Sequence, residues 1–301
     1  MIIVGDLHIK EHHLYRKATM SFLKWLLEHY KDEIIIQLGD LFDSSSINHN
    51  IVDETLFILK QFKDFRIISG NHDQSKRMSN ILKSLNHFDN IIIYEKDTEV
   101  TIEDKKCLML PHQHSHKYYE DLEGSYNFIF PHVMPKEESF GGEFTDLSKL
   151  QGMKIYGHIH TKAIYNNGQM IIPGVPVITR NGECNNPILK INLDSSIEEI
   201  EVPVFFNIVD IEYGTEIVNK DWLYNIKNAP SVKSVYDMYP EINIRSSGIS
   251  INYLNEDKES VVLNSTDNDL KALFSDFAKE KEIEDHILKE GITALNESIG
   301  E

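Results

Sequence analysis

Asp6 and His8 stand two positions apart, just past the apolar run Met1-Ile2-Ile3-Val4 and a single glycine, Gly5. In extended backbone, residues i and i+2 project to the same side. A carboxylate oxygen and an imidazole nitrogen can therefore meet at one point beyond a strand end, and that pair of donors suits a cation. An isolated Asp-x-His is more often a polar loop after a buried strand. Here the arrangement recurs. Asp40 follows Glu33-Ile34-Ile35-Ile36-Gln37-Leu38 and Gly39, and Asn71 and His72 follow Phe65-Arg66-Ile67-Ile68-Ser69 and Gly70. His132 follows Asn127-Phe128-Ile129-Phe130-Pro131, and His158 and His160 follow Met153-Lys154-Ile155-Tyr156 and Gly157. Each loop alone has an ordinary explanation, a turn aspartate or a satisfied core histidine. Five apolar runs ending in metal-competent side chains are hard to obtain by accident, and ligands of an open α/β sheet gather at carboxyl ends of strands.

The donors are nitrogen and oxygen without thiolate, a set for Mn²⁺, Fe²⁺ or Zn²⁺ rather than a sulfur-bound structural zinc. With His72 set aside, Asp6, His8, Asp40, Asn71, His132, His158 and His160 exceed what one such ion takes, so two divalent cations are expected, with a carboxylate such as Asp40 able to bridge them. Two cations roughly 3.5–4 Å apart are a clamp for phosphate-ester hydrolysis.

The elements that must position these residues follow from periodicity. Residues 17–30 carry Phe22, Leu23, Leu26 and Leu27 at helical spacing, and residues 51–62 carry Leu56, Leu59 and Phe62. A third helix is expected over 79–88 and a strand over 90–95. Continuous β-branched runs alternating with helices indicate strands covered on both faces. From residue 98 strands dominate. Hairpins are expected over 98–110, around the turn Asn166-Asn167-Gly168, and over 187–204. The expected fold is an α/β sandwich of two sheets flanked by helices, over residues 1–206. Residues 207–265 read as a small α/β unit with a helix near 222–226. Residues 266–301 read as helical and acidic, with Leu270, Leu273, Phe274 and Phe277 on one face, either packed on its own domain or docking a partner.

Composition frames the function. With 41% apolar and 26% charged residues the chain is that of an ordinary globular protein, and it has no apolar run of membrane-span length. The net charge of -18 argues against broad, nonspecific binding to a nucleic acid backbone, while leaving room for a nucleic acid substrate gripped with the help of bound cations or a basic partner. Two cysteines, Cys107 and Cys184, make no disulfide framework, and the chain opens on a strand rather than a secretory signal, so a cytoplasmic setting is expected.

Taken together, Gly5-Asp6-Leu7-His8, Gly39-Asp40-Leu41-Phe42-Asp43, Gly70-Asn71-His72-Asp73, His132 and Gly157-His158-Ile159-His160 resemble, in order and spacing, the five motifs of the calcineurin-like metallophosphoesterases. Their wording is similar to that of SbcD-type DNA double-strand-break repair nucleases, in particular compact, phage-encoded recombination subunits, which would place the protein in a host cytoplasm. Phosphoprotein phosphatases of the superfamily end the second motif in Asp-Arg-Gly and the third in Gly-Asn-His-Glu. Here Ser44-Ser45-Ser46 follows the second and Asp73 closes the third. The resemblance implies one Mn²⁺ at Asp6, His8, Asp40 and His160 and another at Asp40, Asn71, His132 and His158. It implies a catalytic His72 over the scissile phosphate, with Asp73 orienting it. Some members carry a second His where this chain has Asp43, which leaves that position open. It further implies 3′→5′ exonuclease action on duplex DNA, endonuclease action on single strands and hairpins, an SbcC-type SMC-like ATPase partner, a nuclease homodimer, and a capping domain over 207–265. The competing expectations are a phosphoesterase acting on a small molecule or phosphoprotein, and a noncatalytic scaffold; the complete ligand set argues against the latter.

Overall fold

The computed structural model describes residues 1–75, 80–119, 121–139, 142 and 144–251. The expected helical segment 266–301 lies outside the described residues. The chain divides into two compact units, Met1–Asn207 and Ile208–Glu301.

The first unit is a two-sheet sandwich. One sheet comprises Ile2–Val4 (β1), Ile34–Gln37 (β2), Asp64–Ile68 (β3) and Ile91–Tyr94 (β4) in parallel. The other begins with the antiparallel pair Thr98–Ile102 (β5) and Lys105–Leu110 (β6), and continues through Gly124–Pro131 (β7) and Leu150–Ile155 (β8). Ala163–Tyr165 (β9) and Met170–Ile172 (β10) complete it, in the order β5-β6-β7-β8-β10-β9. The hairpin Ile188–Ile191 (β11) and Ile197–Ile200 (β12) returns to the first sheet beside β1, giving β12-β11-β1-β2-β3-β4. Helices His13–Tyr30 (α1) and His49–Leu59 (α2) are the crossovers between β1, β2 and β3. Right-handed crossovers between neighbouring parallel strands put both helices on one face of that sheet.

Alternation along the strands builds the layers. Ile3, Ile36, Leu38, Ile68, Leu189 and Ile191 of the first sheet meet Cys107, Met109, Phe128, Phe130, Ile155 and Ile171 of the second in one core cluster. Leu108, Leu110 and Ile129, one position out of phase, point to the far side of the second sheet and pack with Tyr119, Leu147 and Tyr156. Ile2, Val4, Ile35, Phe65 and Ile67 are fully buried on the helix side of the first sheet. The β-branched runs are thus covered on both faces, as their composition requires. On α1, Phe22, Leu23 and Leu26 are buried, while Leu27 is only half-buried. Cys107 is buried and Cys184 exposed, both free. Among the described residues no helix is long and apolar enough to cross a membrane.

Two expected helices differ. The segment expected over 79–88 holds a short 3-10 helix, Ile81–Leu85, capped by the Asn80 side chain accepting from the Leu82 N–H. Its buried Leu82 and Leu85 are three apart, the repeat of a 3-10 turn. The helix expected near 222–226 is instead a strand, Leu223–Ala229 (β14), central between Ile208–Glu212 (β13) and Asn243–Ile251 (β15) in the three-stranded parallel sheet of the second unit. Its helix follows as Val232–Met238 (α3), opened by a capping box between Ser231 and Ser234.

Candidate metal centre

All five expected loops converge, three from the first sheet and two from the second. β1, β2 and β3 deliver Asp6, His8, Asp40, Asn71 and His72; β7 and β8 deliver His132, His158 and His160. Asp6, His8 and His160 bring one donor atom each within 4.8 Å of one another, and so do Asp40, His132 and His158. In the first group His8 Nε2 faces His160 Nε2 at 3.0 Å, and Asp6 Oδ2 lies 3.7 Å from His160 Nε2. In the second, Asn71 Oδ1 lies 2.9 Å from His158 Nδ1 and 3.2 Å from His132 Nε2. Asp40 joins the groups, its Oδ2 standing 3.6 Å from His8 Nε2 and 3.4 Å from His132 Nε2. Seven side chains thus form two adjoining donor clusters around one shared carboxylate.

The backbone is bent to make this possible. His8, Asp40 and His158 all occupy the left-handed region, at φ 41°, 51° and 75°. Strain of this kind, of order 1–3 kcal/mol per residue, persists where surrounding contacts enforce it. Leu7 and His8 both donate their N–H to the Asp40 carbonyl, and Asp6 accepts the His158 N–H at 3.0 Å, which pins the fifth loop to the first across the seam between sheets. Two glycines are required by close approach. A Cβ on Gly39, at φ 119°, would enter the His132 ring, and one on Gly70 would enter the Asp40 carboxylate. The turn Pro173-Gly174-Val175-Pro176 also packs here, with the Val175 N–H donating to the His160 carbonyl at 3.1 Å.

The electrostatics are those of a site built for cations. Asp6 and Asp40 are 1% and 2% exposed. Burial, with Asp40 adding to it against the opposing His132, drives the Asp6 carboxyl well above the usual range. Asp40 resists burial because His132 and His8 hold it well below that range. His132 is itself depressed by burial, but Asp40 and Asp6 outweigh this and raise it to about 10. His158 is pushed down to about 3 by burial and then by His132. The nitrogen–oxygen donor set, the two clusters and the shared carboxylate fit a pair of divalent cations.

Around the clusters, two imidazoles are held at their other nitrogen. His132 Nδ1 meets the Leu38 carbonyl at 2.8 Å and His160 Nδ1 is bonded to Glu183, while the buried His8 Nδ1 makes no hydrogen bond and has Asp43 Oδ1 3.3 Å away. Such partners fix tautomer and ring orientation. Asp43, left open by its motif, lies beside His8, and Lys10 approaches the same oxygen at 3.5 Å. Glu183 has no motif signal, since it meets His160 only through the folding of a loop after β10. Its carboxyl is raised by burial, but hydrogen bonds from His160 and Thr179 outweigh that and hold it at about 2.

His72 forms a third group with His8 and Asp43, whose donor atoms also lie within 4.8 Å of one another. Its side chain is exposed, its ring lies edge-on to His8 at 4.7 Å between centroids, and its Nδ1 meets the Asp43 carbonyl at 2.8 Å. The carboxylate of Asp73 makes its contacts with the loop backbone. Fully buried, Asp73 accepts the N–H of Phe42 at 3.1 Å and of Gly70 at 2.9 Å, so it staples the second loop to the third, while the Asp43 carbonyl holds the His72 ring.

The model of the calcineurin-like phosphoesterase family matches residues 1–162, more than half of the chain. The chain belongs to that family. Its class is that of metal-dependent hydrolases of phosphoester bonds, on an α/β sandwich. No curated protein matches the chain.

Proposed function

We propose that the protein is a Mn²⁺-dependent DNA nuclease of the SbcD type, acting in repair or recombination as a homodimer beside an SMC-like ATPase of the SbcC type. The observation that carries this reading is the wording of the second and third motifs, Gly39-Asp40-Leu41-Phe42-Asp43 and Gly70-Asn71-His72-Asp73, together with an exposed His72. A polymer backbone needs such access, and the Lys10 and Arg180 side chains near the clusters offer positive charge to phosphates.

In this reading Asp6, His8, Asp40 and His160 hold one cation, and Asp40, Asn71, His132 and His158 hold the other. The pair, when bound, supplies charge neutralisation at the phosphoryl oxygens and acidifies the attacking water. His72, oriented through Nδ1 by the Asp43 carbonyl, directs its other nitrogen at the scissile phosphate, to stabilise developing charge or protonate the leaving oxygen. Asp73 keeps the loops carrying Asp40 and His72 in register. The second unit, described from Ile208 to Ile251 within the segment expected over 207–265, serves as a DNA-capping module.

The test is cleavage of end-labelled duplex, single-stranded and hairpin DNA with Mn²⁺, beside an aryl phosphate monoester. Degradation of duplex from 3′ ends and opening of hairpins are expected. Rapid monoester turnover with intact DNA would replace this reading by a small-molecule or phosphoprotein phosphoesterase.

A further inference from the structure

The loop after β10 wraps one carboxylate completely. Glu183 Oε2 accepts the Thr179 N–H at 2.7 Å, the Thr179 hydroxyl at 2.9 Å and the Arg180 N–H at 3.0 Å. Its Oε1 meets His160 Nδ1 and also accepts Arg180 Nε at 2.7 Å. The Glu183 side chain is 7% exposed and that of His160 9%. Arg180 also brings a terminal nitrogen within 3.0 Å of His160 Nδ1. Both groups cannot bond the same nitrogen in one protonation state. A carboxylate only accepts and a guanidinium only donates. The shorter contact is the carboxylate's, and Arg180 already donates to Glu183, so Nδ1 carries the proton. The lone pair of His160 is then on Nε2, the atom that faces His8 Nε2 and Asp6 Oδ2.

A turn-stabilising glutamate would spend both oxygens on its own loop. Glu183 shares one of them between Arg180 of its loop and a histidine 23 positions earlier, behind a donor cluster. In the second cluster His132 Nδ1 rests on the neutral Leu38 carbonyl at 2.8 Å, with the nearest Asp6 oxygen farther off at 3.9 Å. We infer that Glu183 is a positioning residue for His160, fixing its Nδ1-protonated tautomer and strengthening the Asp6–His8–His160 subsite over its neighbour. This rests on the two-cation reading proposed above.

Titration of the cation-free protein with Mn²⁺, followed by electron paramagnetic resonance, tests it. The wild type should show two saturable classes and a spin-coupled pair. In Glu183→Gln one class should weaken by about 10- to 100-fold, as for other partners behind ligating histidines, with the other class unmoved. Fewer than two saturable sites in the wild type would overturn the two-cation reading itself. Two wild-type sites with unchanged affinities in Glu183→Gln, or equal weakening of both, would overturn the role of Glu183 alone. Should the variant fail to fold, ¹⁵N spectra of the cation-free wild type decide, with His160 assigned by its loss in His160→Gln. A proton on Nδ1 is expected, and a proton on Nε2 refutes the inference.

Discussion

Loading the cation-free protein at pH 8 should expel a proton from His132. The imidazole is raised from 6.5 to about 10, because the Asp40 and Asp6 carboxylates outweigh its burial. At pH 8 the imidazole is then largely protonated before loading. A cation held through His132 Nε2, 3.4 Å from Asp40 Oδ2, requires the lone pair there and cannot share the site with that proton. Release of about one proton per protein is expected, and more if the raised Asp6 carboxyl also carries one. Apparent affinity should rise about tenfold per pH unit between 7 and 9. The same linkage sets stability without cations. A folded value above the unfolded one contributes stability that is complete below 6.5 and lost as pH climbs to about 10, at most about 5 kcal/mol. A pH-indicator dye in weakly buffered solution, titrated with Mn²⁺, counts the protons. Release below about a third of a proton at pH 8, with affinity flat in pH, would refute the reasoning, since the charge on the buried His132 is its only premise.

Other perturbations bear on the same loops. His72→Ala should abolish phosphoester cleavage while leaving Mn²⁺ content near wild type by elemental analysis; loss of cation would make His72 a ligand. Asp73→Ala leaves the buried N–H groups of Phe42 and Gly70 without an acceptor. It should cost about 1–3 kcal/mol per donor in urea unfolding of the Mn²⁺-loaded protein, and a change within about 0.5 kcal/mol would mean that water replaces the carboxylate.

What the chain shows without a structure is set by range. Donor positions were legible because each follows its own strand directly, so local order alone puts Asp6, Asp40, Asn71, His132 and His158 at carboxyl ends. Orientation was not. Asp73 follows His72 in sequence, yet its carboxylate turns to Phe42, a partner chosen by the packing of two loops. Glu183 sits in an unremarkable Asn181-Gly182-Glu183-Cys184 stretch, and only the return of its loop brings it to His160. The misread helix near 222–226 has the same origin. Leu223, Tyr224 and Ile226 satisfy helical and extended spacing over so short a span, and pairing with β13 and β15 decides. The true start of α3 is local, Ser231 with Ser234 three residues on.

Three of the seven donor side chains come from one sheet and four from the other, with Asp6 gripping the loop of His158 across the boundary. Neither half possesses a full nest for a cation. Whatever ion settles there behaves as a clasp on the two leaves of the sandwich, and prising the leaves apart must eject it. Chelators should therefore loosen the seam before they unravel either leaf, and amide exchange along β1 and β8 would register this opening long before the helices respond.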